Sequence, residues 1–149
     1  MSTSQRDAVR GLRRVIGTRA VNFVGAAGLV VNPRGEPLLL RRVGAGHWGL
    51  ITGISDLGEA LEDTLRREAL EETGLSIGAV RLLEMLSPAG LAQVANGDQF
   101  YSYTALFRVT EWSGTPVPDG VEIAEARFFN LADLPPLNRL GRKAQEWLA

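Results

Sequence analysis

Residues 53–75 read GISDLGEALEDTLRREALEETGL, and the placement of the glutamates in this segment decides the interpretation of the chain. If residues 59–73 form a helix at about 100° per residue, acidic and apolar residues share one stripe about 100° wide. The stripe contains Leu61, Leu65, Glu68, Ala69 and Glu72. Glu71 lies at its edge. Carboxylates beside apolar surface are costly unless something positive binds them, and no lysine shares this stripe. The pattern therefore predicts a bound divalent cation.

The opposite side of the same predicted helix has an ordinary solvated character. Oppositely charged residues stand four positions apart, as at Glu62 and Arg66. Each such pair stabilises a helix by only a few tenths of a kcal/mol and indicates no function. Leu70 also lies opposite the acidic stripe, and we expect a second layer of structure or a partner subunit to cover it.

The spacing of this segment resembles the signature of a known family. The pattern G-x5-E-x7-REALEETGL, which begins at Gly53, resembles the complete signature of the Nudix hydrolases. Ala69 is a mild departure, because the family usually has a larger aliphatic residue there. Residues 48–53, WGLITG, resemble the family's W-x-L-P-G-G loop, with Ile and Thr in place of Pro and the first Gly. The resemblance covers residues 20–135.

The resemblance implies roles for the acidic residues. In the family, the glutamates of the motif bind one or more Mg²⁺ ions between the enzyme and a diphosphate, which implies Glu68 and Glu72 as metal ligands. Glu71 would be a closer or water-mediated ligand, and Arg67 would orient the glutamates and pair with Glu59. The residue types agree, since an all-carboxylate site without cysteine favours a hard cation, Mg²⁺ or Mn²⁺. Such an ion suits phosphoanhydride hydrolysis by an activated water.

The general base is not fixed by spacing. Many family members use a glutamate from a loop beyond the helix, and others use one within the motif. Glu122 stands six residues before Phe128, which is a similar placement to that loop glutamate. Glu125 and a motif glutamate are the competing choices.

Four positions are expected to contact the substrate, at Arg41, Trp48, Gly53 and Tyr101. Arg41 and Arg42 alternate across a strand, so that one of them faces the pocket. Trp48 either stacks on a base or packs beneath the loop, and Phe100 competes with Tyr101 to line a base pocket. His47 is expected to be a loop residue rather than a metal ligand.

Composition limits the classes of protein. The chain has 149 residues, 45% of them hydrophobic and 22% charged, which predicts one globular domain. A net charge of −1 argues against a general binder of nucleic acid polymers or of anionic membranes. The absence of cysteine excludes disulfides and argues against the cysteine-dependent isopentenyl diphosphate isomerase branch of the fold. No signal or membrane-spanning run is evident, so we expect a cytoplasmic protein, and a homodimer is compatible with Leu70.

The predicted fold is a three-layer α/β/α sandwich with a mixed β-sheet, which is also the Nudix fold. We expect an N-terminal helical extension (1–19), a core (20–135) and a C-terminal helix (136–149) within one domain. The predicted elements are an amphipathic helix at 4–16, strands at 21–31, 37–42, 79–86, 100–109 and 124–130, a glycine-rich loop at 44–58, and a last helix at 138–148. Val9, Leu12, Val15 and Ile16 form the apolar side of the first helix. Gly74 is expected to end the signature helix in a left-handed conformation.

The predicted activity is that of a metal-dependent Nudix pyrophosphohydrolase acting on a small nucleotide. ADP-ribose or a nucleoside triphosphate is the first compound to try. Pro88 falls near the proline that marks ADP-ribose hydrolases, no run typical of NADH hydrolases is present, and the basic tracts expected of RNA decapping are missing. The alternative is a catalytically silent Nudix-like sensor domain, although such domains usually lose the motif glutamates that this chain retains.

Overall fold

The computed structural model describes residues 3–148, with side chains from residue 6 onward. The helices are α1 (Thr3–Ile16), α2 (Leu61–Thr73) and α3 (Arg139–Gln145), with a 3₁₀ turn at Leu131–Asp133. The longer strands are β1 (Val21–Leu29), β2 (Leu38–Arg42), β4 (Ile51–Ile54), β6 (Val80–Leu86), β8 (Gln99–Val109) and β10 (Ile123–Phe128). Four two-residue strands complete the description: β3 (Trp48–Gly49), β5 (Ser76–Ile77), β7 (Ala92–Gln93) and β9 (Trp112–Ser113).

The main sheet is mixed, as predicted. Its strand order is β4-β1-β8-β6, with β7 added beside β8. Strands β1 and β8 run parallel, whereas β4 and β6 pair antiparallel with their neighbours. A second, antiparallel sheet has the order β10-β2-β3, and β1 leads into β2 through a turn where the Leu38 amide donates to the Val30 carbonyl.

Two hydrophobic clusters lie on opposite faces of the strands. Because side chains alternate along a strand, Ala26 of β1 packs with Leu65 and Ala69 of α2, whereas its neighbour Ala27 packs on the other side with Ala144 of α3. Helix, sheet and helix therefore form three layers, which confirms the predicted sandwich.

The predicted loop at 44–58 is wrong in part. Residues 48–54 form β3 and β4, which pair with β2 and β1, because Leu50 and Ile51 are apolar and fill the two clusters. The glycines in this segment suggested a loop, but its apolar residues take part in the sheets. Only a short connection separates β4 from α2, and Gly53 of β4 lies directly against the helix.

Helix α2 begins two residues later than predicted. Ala60 is its extended N-cap, and Glu59 lies in a turn in which its amide donates to the Asp56 carbonyl at 3.1 Å. Its C-terminus agrees with the prediction, since Gly74 has φ 74° and its amide donates to the Leu70 carbonyl. A side chain would be strained at this φ, which explains the glycine. Helix α3 ends at Gln145, earlier than the predicted residue 148.

Helix α1 lies beside the N-terminal ends of β1 and β8. Arg13 ties it there, because its Nη2 donates to the Gln99 carbonyl at 2.7 Å and its guanidinium lies 5.9 Å from the Phe23 ring centroid. The predicted apolar side is only partly buried, and Val15 is exposed. No helix in the described part of the chain has the length and apolar character to cross a membrane.

Candidate active site

Two glutamates on the inner face of α2 are almost fully buried. Glu68 is 3% exposed and Glu72 is 1% exposed, one helical turn apart. Gly53 of β4 faces Glu68 so closely that a Cβ at this position would overlap the Glu68 carboxylate. The helical period therefore predicted the acidic stripe correctly, and the glycine leaves the space that Glu68 occupies.

Arg67 holds Glu68 from one side. Its Nη1 donates to Glu68 Oε1 at 2.8 Å, and its Nε and Nη2 donate to the two oxygens of Glu59 at 2.9 and 2.8 Å. The Thr64 hydroxyl donates to Glu59 Oε1 at 2.7 Å. Hydrogen bonds from Arg67 lower the pKa of Glu59 to about 2, whereas burial raises the pKa of Glu68 above its ordinary value. The contacts that the resemblance implied for Arg67 are present.

A second arginine compensates Glu72. Arg42 Nη2 donates to Glu72 Oε2 at 2.9 Å, and the Thr52 amide donates to Glu72 Oε1 at 3.2 Å. Burial nevertheless raises the pKa of Glu72 to about 8, because removing the carboxylate from water outweighs the attraction of Arg42. Arg42 Nη1 also lies 3.6 Å from Glu122 Oε2, so that this guanidinium bridges two acids.

The pairing of β2 with β10 decides which arginine and which glutamate face the cavity. Ile123 pairs with Arg42, and Glu125 pairs with Arg41. Arg41 Nη2 lies 3.3 Å from Glu125 Oε1, outside the cavity. Arg41, which was expected to contact substrate, therefore does not line this cavity, whereas Arg42 does. Glu122 lines the cavity, so that of the two loop glutamates it is the better candidate for a base.

The cavity itself has a volume of about 320 Å³ and a chemically mixed lining. The charged residues Glu68, Glu122 and Arg42 and the aromatic residues Phe23 and Phe100 all belong to it. The rings of Phe23 and Phe100 lie 5.6 Å apart between centroids. The lining thus combines charged and aromatic side chains.

Two of the expected substrate contacts are absent from this cavity. Tyr101 does not line it, because it follows Phe100 on β8 and neighbouring residues of a strand face opposite sides. Trp48 is 6% exposed and packs edge-on against Phe129, with ring centroids 4.8 Å apart. Trp48 is thus a core residue and not a base-stacking one. Gly53 does line the cavity, and His47 is exposed in the loop, as predicted.

Glu71 and Leu70 lie toward solvent. Glu71 is exposed, and its Oε2 is 3.6 Å from Arg67 Nη1. Leu70 is 62% exposed, so the second layer expected to cover it does not do so within the described residues. A partner subunit at Leu70 stays a prediction.

The carboxylates of Glu68, Glu72 and Glu122 are ligands of the kind that a hard divalent cation prefers, but Arg42 and Arg67 already pair with them. No three histidine or acidic side chains among residues 6–148 are close enough to ligate one ion together. Arg42 separates Glu72 from Glu122, and Arg67 occupies Glu68 Oε1. Glu68 Oε2 accepts no hydrogen bond in the described structure and borders the cavity, which leaves it available to an ion.

Sequence reasoning missed several residues of the cavity wall, including one on β1 and two on α1. Phe23 of β1 and the α1 residues Val9 and Arg13 line it. Phe23 had a detectable signal, since it alternates with the polar Asn22 along an otherwise apolar strand. The two α1 residues had no comparable signal, because the contact depends on where the helix docks.

The fold and this site define an α/β/α protein in which α2 carries two buried glutamates and Glu68 lines a cavity of about 320 Å³. A family model described as the NUDIX domain matches residues 21–149, and the chain therefore belongs to the Nudix family.

Individual relatives agree with this family. The chain is 30% identical over 116 residues to the NAD-capped RNA hydrolase NudC of Pseudomonas syringae pv. syringae, a match that covers 73% of this chain and 37% of that protein. The crystal structure of the MutT NUDIX hydrolase from Burkholderia pseudomallei is similar with a TM-score of 0.74 and 29% identity, covering 87% of this chain and 99% of that one. The NUDIX domain of Shewanella oneidensis NrtR, solved with ADP ribose, shares the fold at 20% identity and a TM-score of 0.63, with both chains fully covered.

Proposed function

We propose that this protein is a divalent-metal-dependent hydrolase that cleaves a phosphoanhydride bond in a nucleoside diphosphate linked to another moiety. The observation that carries the proposal is the burial of Glu68 and Glu72 one helical turn apart, with Glu68 in the wall of a cavity. Two inward carboxylates are costly in a protein that has no use for them, because burial disfavours their charged form. Membership of the Nudix family supports the same activity.

Glu68 and Glu72 would hold the ion, with Glu71 reaching it directly or through water. A bound Mg²⁺ or Mn²⁺ would neutralise charge on the diphosphate and lower the pKa of a bound water. Arg42 must then leave Glu72 Oε2, and its guanidinium becomes available to a phosphate oxygen in the same cavity. Arg42 thus has two roles: counterion without metal, and phosphate ligand with it.

Glu122 is the proposed general base. It lines the cavity beside Arg42, and an acid at this position can accept the proton of a water that attacks the diphosphate. Arg67 is a positioning residue, because it fixes the Glu68 carboxylate while Glu59, which accepts a hydrogen bond from Thr64, fixes Arg67 in turn.

The substrate proposed first is ADP-ribose or a nucleoside triphosphate. Phe23 and Phe100 offer an apolar surface for the base in the same cavity that Glu68 lines. NudC is named for NAD-capped RNA, but the present chain spans 37% of its length, so NAD and capped RNA belong in a substrate panel rather than in the proposal.

The test is an incubation of the purified protein with a panel of nucleotides. ADP-ribose, nucleoside triphosphates, sugar nucleotides, NADH and NAD-capped RNA are each supplied with Mg²⁺ or Mn²⁺, and the products are separated by chromatography. We expect release of a nucleoside monophosphate from at least one compound, stopped by EDTA and restored by added metal.

The matched variants are Glu72→Gln and Glu62→Gln. Both make the same chemical change on α2, but Glu62 is exposed on the outer face. We expect Glu72→Gln, folded by circular dichroism, to lose at least about 100-fold in kcat, since one fixed electrostatic contact at a reaction centre is typically worth that much. Glu62→Gln should be unchanged. Near-normal turnover by Glu72→Gln would refute the role given to this residue, and tight nucleotide binding without turnover by the unmodified protein would favour a silent sensor domain.

A further inference from the structure

A second cavity adjoins the candidate active site, and arginines dominate its lining. This cavity, here called the arginine groove, has a volume of about 520 Å³ and lies between α1 and the turn before β8. Its lining residues are Arg6, Val9, Arg10, Arg13, Arg14, Asn96 and Asp98. Val9, Arg13 and Asp98 line both cavities, so that the two spaces are contiguous.

The positive charge of this region is hidden by the composition of the whole chain. The net charge of the protein is −1, yet residues 3–19 contain five arginines and only one acid, Asp7. Arg6, Arg10 and Arg14 are spaced four residues apart along α1, where like charges destabilise a helix. The repulsion between these arginines opposes folding of the helix, and an anionic ligand in the groove would reduce that repulsion.

Two of these arginines are available to a ligand. Arg10 and Arg14 are exposed, and their side chains form no ion pair or hydrogen bond with any described residue. Arg6 lies 3.9 Å from Glu122, which is a weak contact at the edge of the active site. Of the four arginines that line the groove, Arg10 and Arg14 are therefore the two whose charge no described residue compensates.

Arg13 stands where the two cavities meet and is held rigidly. Its side chain is 10% exposed, and its terminal nitrogens donate to the carbonyls of Arg19 at 2.6 Å and Gln99 at 2.7 Å. Its buried Nε forms no hydrogen bond, since Asp98 Oδ2 is 3.6 Å away. A buried donor without a hydrogen-bond acceptor is costly, and the nearby Asp98 carboxylate offsets part of that cost through its charge.

We propose that the arginine groove is a second phosphate subsite, which binds a phosphate group of the nucleotide other than the one at Glu68 and Glu72. The inference rests on the proposed function for the position of the nucleotide. Arginine is suited to this task because its planar guanidinium donates two parallel hydrogen bonds to phosphate. Helix α1, which supplies most of the groove lining, precedes the region that the family model matches.

The extra phosphate can belong to the ribose or to the 5′ chain of the nucleotide. Binding is measured by titration calorimetry in Mg²⁺ with three probes that contain no phosphoanhydride oxygen bridge. AMP is the reference, adenosine 3′,5′-bisphosphate adds a phosphate on the ribose, and α,β-methylene ADP adds one along the 5′ chain. We expect one of the two larger probes to bind about tenfold more tightly than AMP, with a preference that weakens as salt is added.

The groove variant is the double substitution Arg10→Ala/Arg14→Ala. It should lose the preference for the extra phosphate while binding AMP as the unmodified protein does, which also shows that it is folded. The control is Arg34→Ala/Arg81→Ala, which removes the same charge from exposed arginines outside the groove and should keep the preference.

The outcomes separate this subsite from the proposed activity. Equal affinity for all three probes, or a preference that survives in the groove variant, would overturn the subsite. A preference lost equally in both double variants would overturn it too, because net charge alone would then explain the effect. Since no probe is hydrolysed, a protein that shows the preference but cleaves no anhydride would retain the subsite and refute the proposed function.

Discussion

Two pairs of the same residue types lie at the β2–β10 ladder and have opposite surroundings. Arg42 and Glu122 face the cavity, where Arg42 compensates the buried Glu72. Arg41 and Glu125 face away from it and form an ion pair at 3.3 Å. The residue types are identical, so the side of the strand decides which pair is in position to act on a substrate. We call these the inner pair and the outer pair.

The largest expected effect separates the two glutamates. Glu122→Gln should lower kcat about 10²–10⁴-fold, because a general base typically contributes that much to the rate. Glu125→Gln should leave kcat within about twofold, since its ion pair is exposed. Steady-state kinetics on the substrate found in the panel measures both. A larger loss for Glu125→Gln than for Glu122→Gln would reverse the assignment.

A substitution at Gly53 tests how much space the Glu68 carboxylate needs. Gly53→Ala places a methyl group on the Glu68 carboxylate and should lower the free energy of unfolding by about 3 kcal/mol, at the upper end for overpacking. Gly46→Ala is the control, because nothing lies within 4 Å of a Cβ there and its φ is not positive. Urea denaturation gives both values, and equal midpoints for the two variants would show that Glu68 moves aside at no cost.

The arginines of the two pairs should differ in stability and in their response to metal. Arg42→Ala should cost about 1–2 kcal/mol without metal, since it removes a donor to the buried Glu72 although Arg42 itself is 42% exposed. Arg41→Ala should cost less than about 1 kcal/mol. Added Mg²⁺ should restore stability to Arg42→Ala more than to Arg41→Ala, because the ion replaces the lost counterion. Unfolding midpoints that do not respond to Mg²⁺ in either variant would contradict the dual role of Arg42.

The smallest effect concerns Glu59 and acid. The pKa of Glu59 is lowered from 4.5 to about 2 in the folded protein, so its contribution to stability is present above pH 4.5 and is lost as the pH falls toward 2. Between about pH 5 and pH 4 the loss should be under about 1 kcal/mol. Glu59→Gln should show a shallower decrease over this interval in urea denaturation. An identical slope in the variant would mean that Arg67 does not hold this carboxyl ionised.

The sequence was sufficient to predict which face of α2 is buried, but it was not sufficient to predict which residues of β2 face the cavity. A helical period of 3.6 residues places Glu68 and Glu72 on one stripe whatever the rest of the fold, so their burial followed from spacing. A strand has two faces, and Arg41 and Arg42 are chemically the same, so only the register with β10 could choose between them. For the same reason Phe100 and Tyr101, which are neighbours on β8, face opposite sides of the strand, and only Phe100 lines the cavity.

The docking of α1 was beyond the reach of sequence patterns. Its helical period was detectable, but Arg13 binds the carbonyl of Gln99, which is 86 positions away in the chain. Such a contact depends on tertiary structure, and a pattern within one helix does not encode it. The short strands β3 and β4 were missed for a related reason, because Gly46, Gly49 and Gly53 suggested a loop where the apolar residues between them pair with β1 and β2.

The central claim is that buried carboxylates of α2 capture a divalent cation, and Mn²⁺ binding followed by electron paramagnetic resonance tests it most directly. The unmodified protein should bind Mn²⁺, Glu68→Gln and Glu72→Gln should each bind it at least about tenfold more weakly, and Glu62→Gln should bind it normally. Unchanged Mn²⁺ affinity in both Glu68→Gln and Glu72→Gln would contradict metal binding by these two carboxylates.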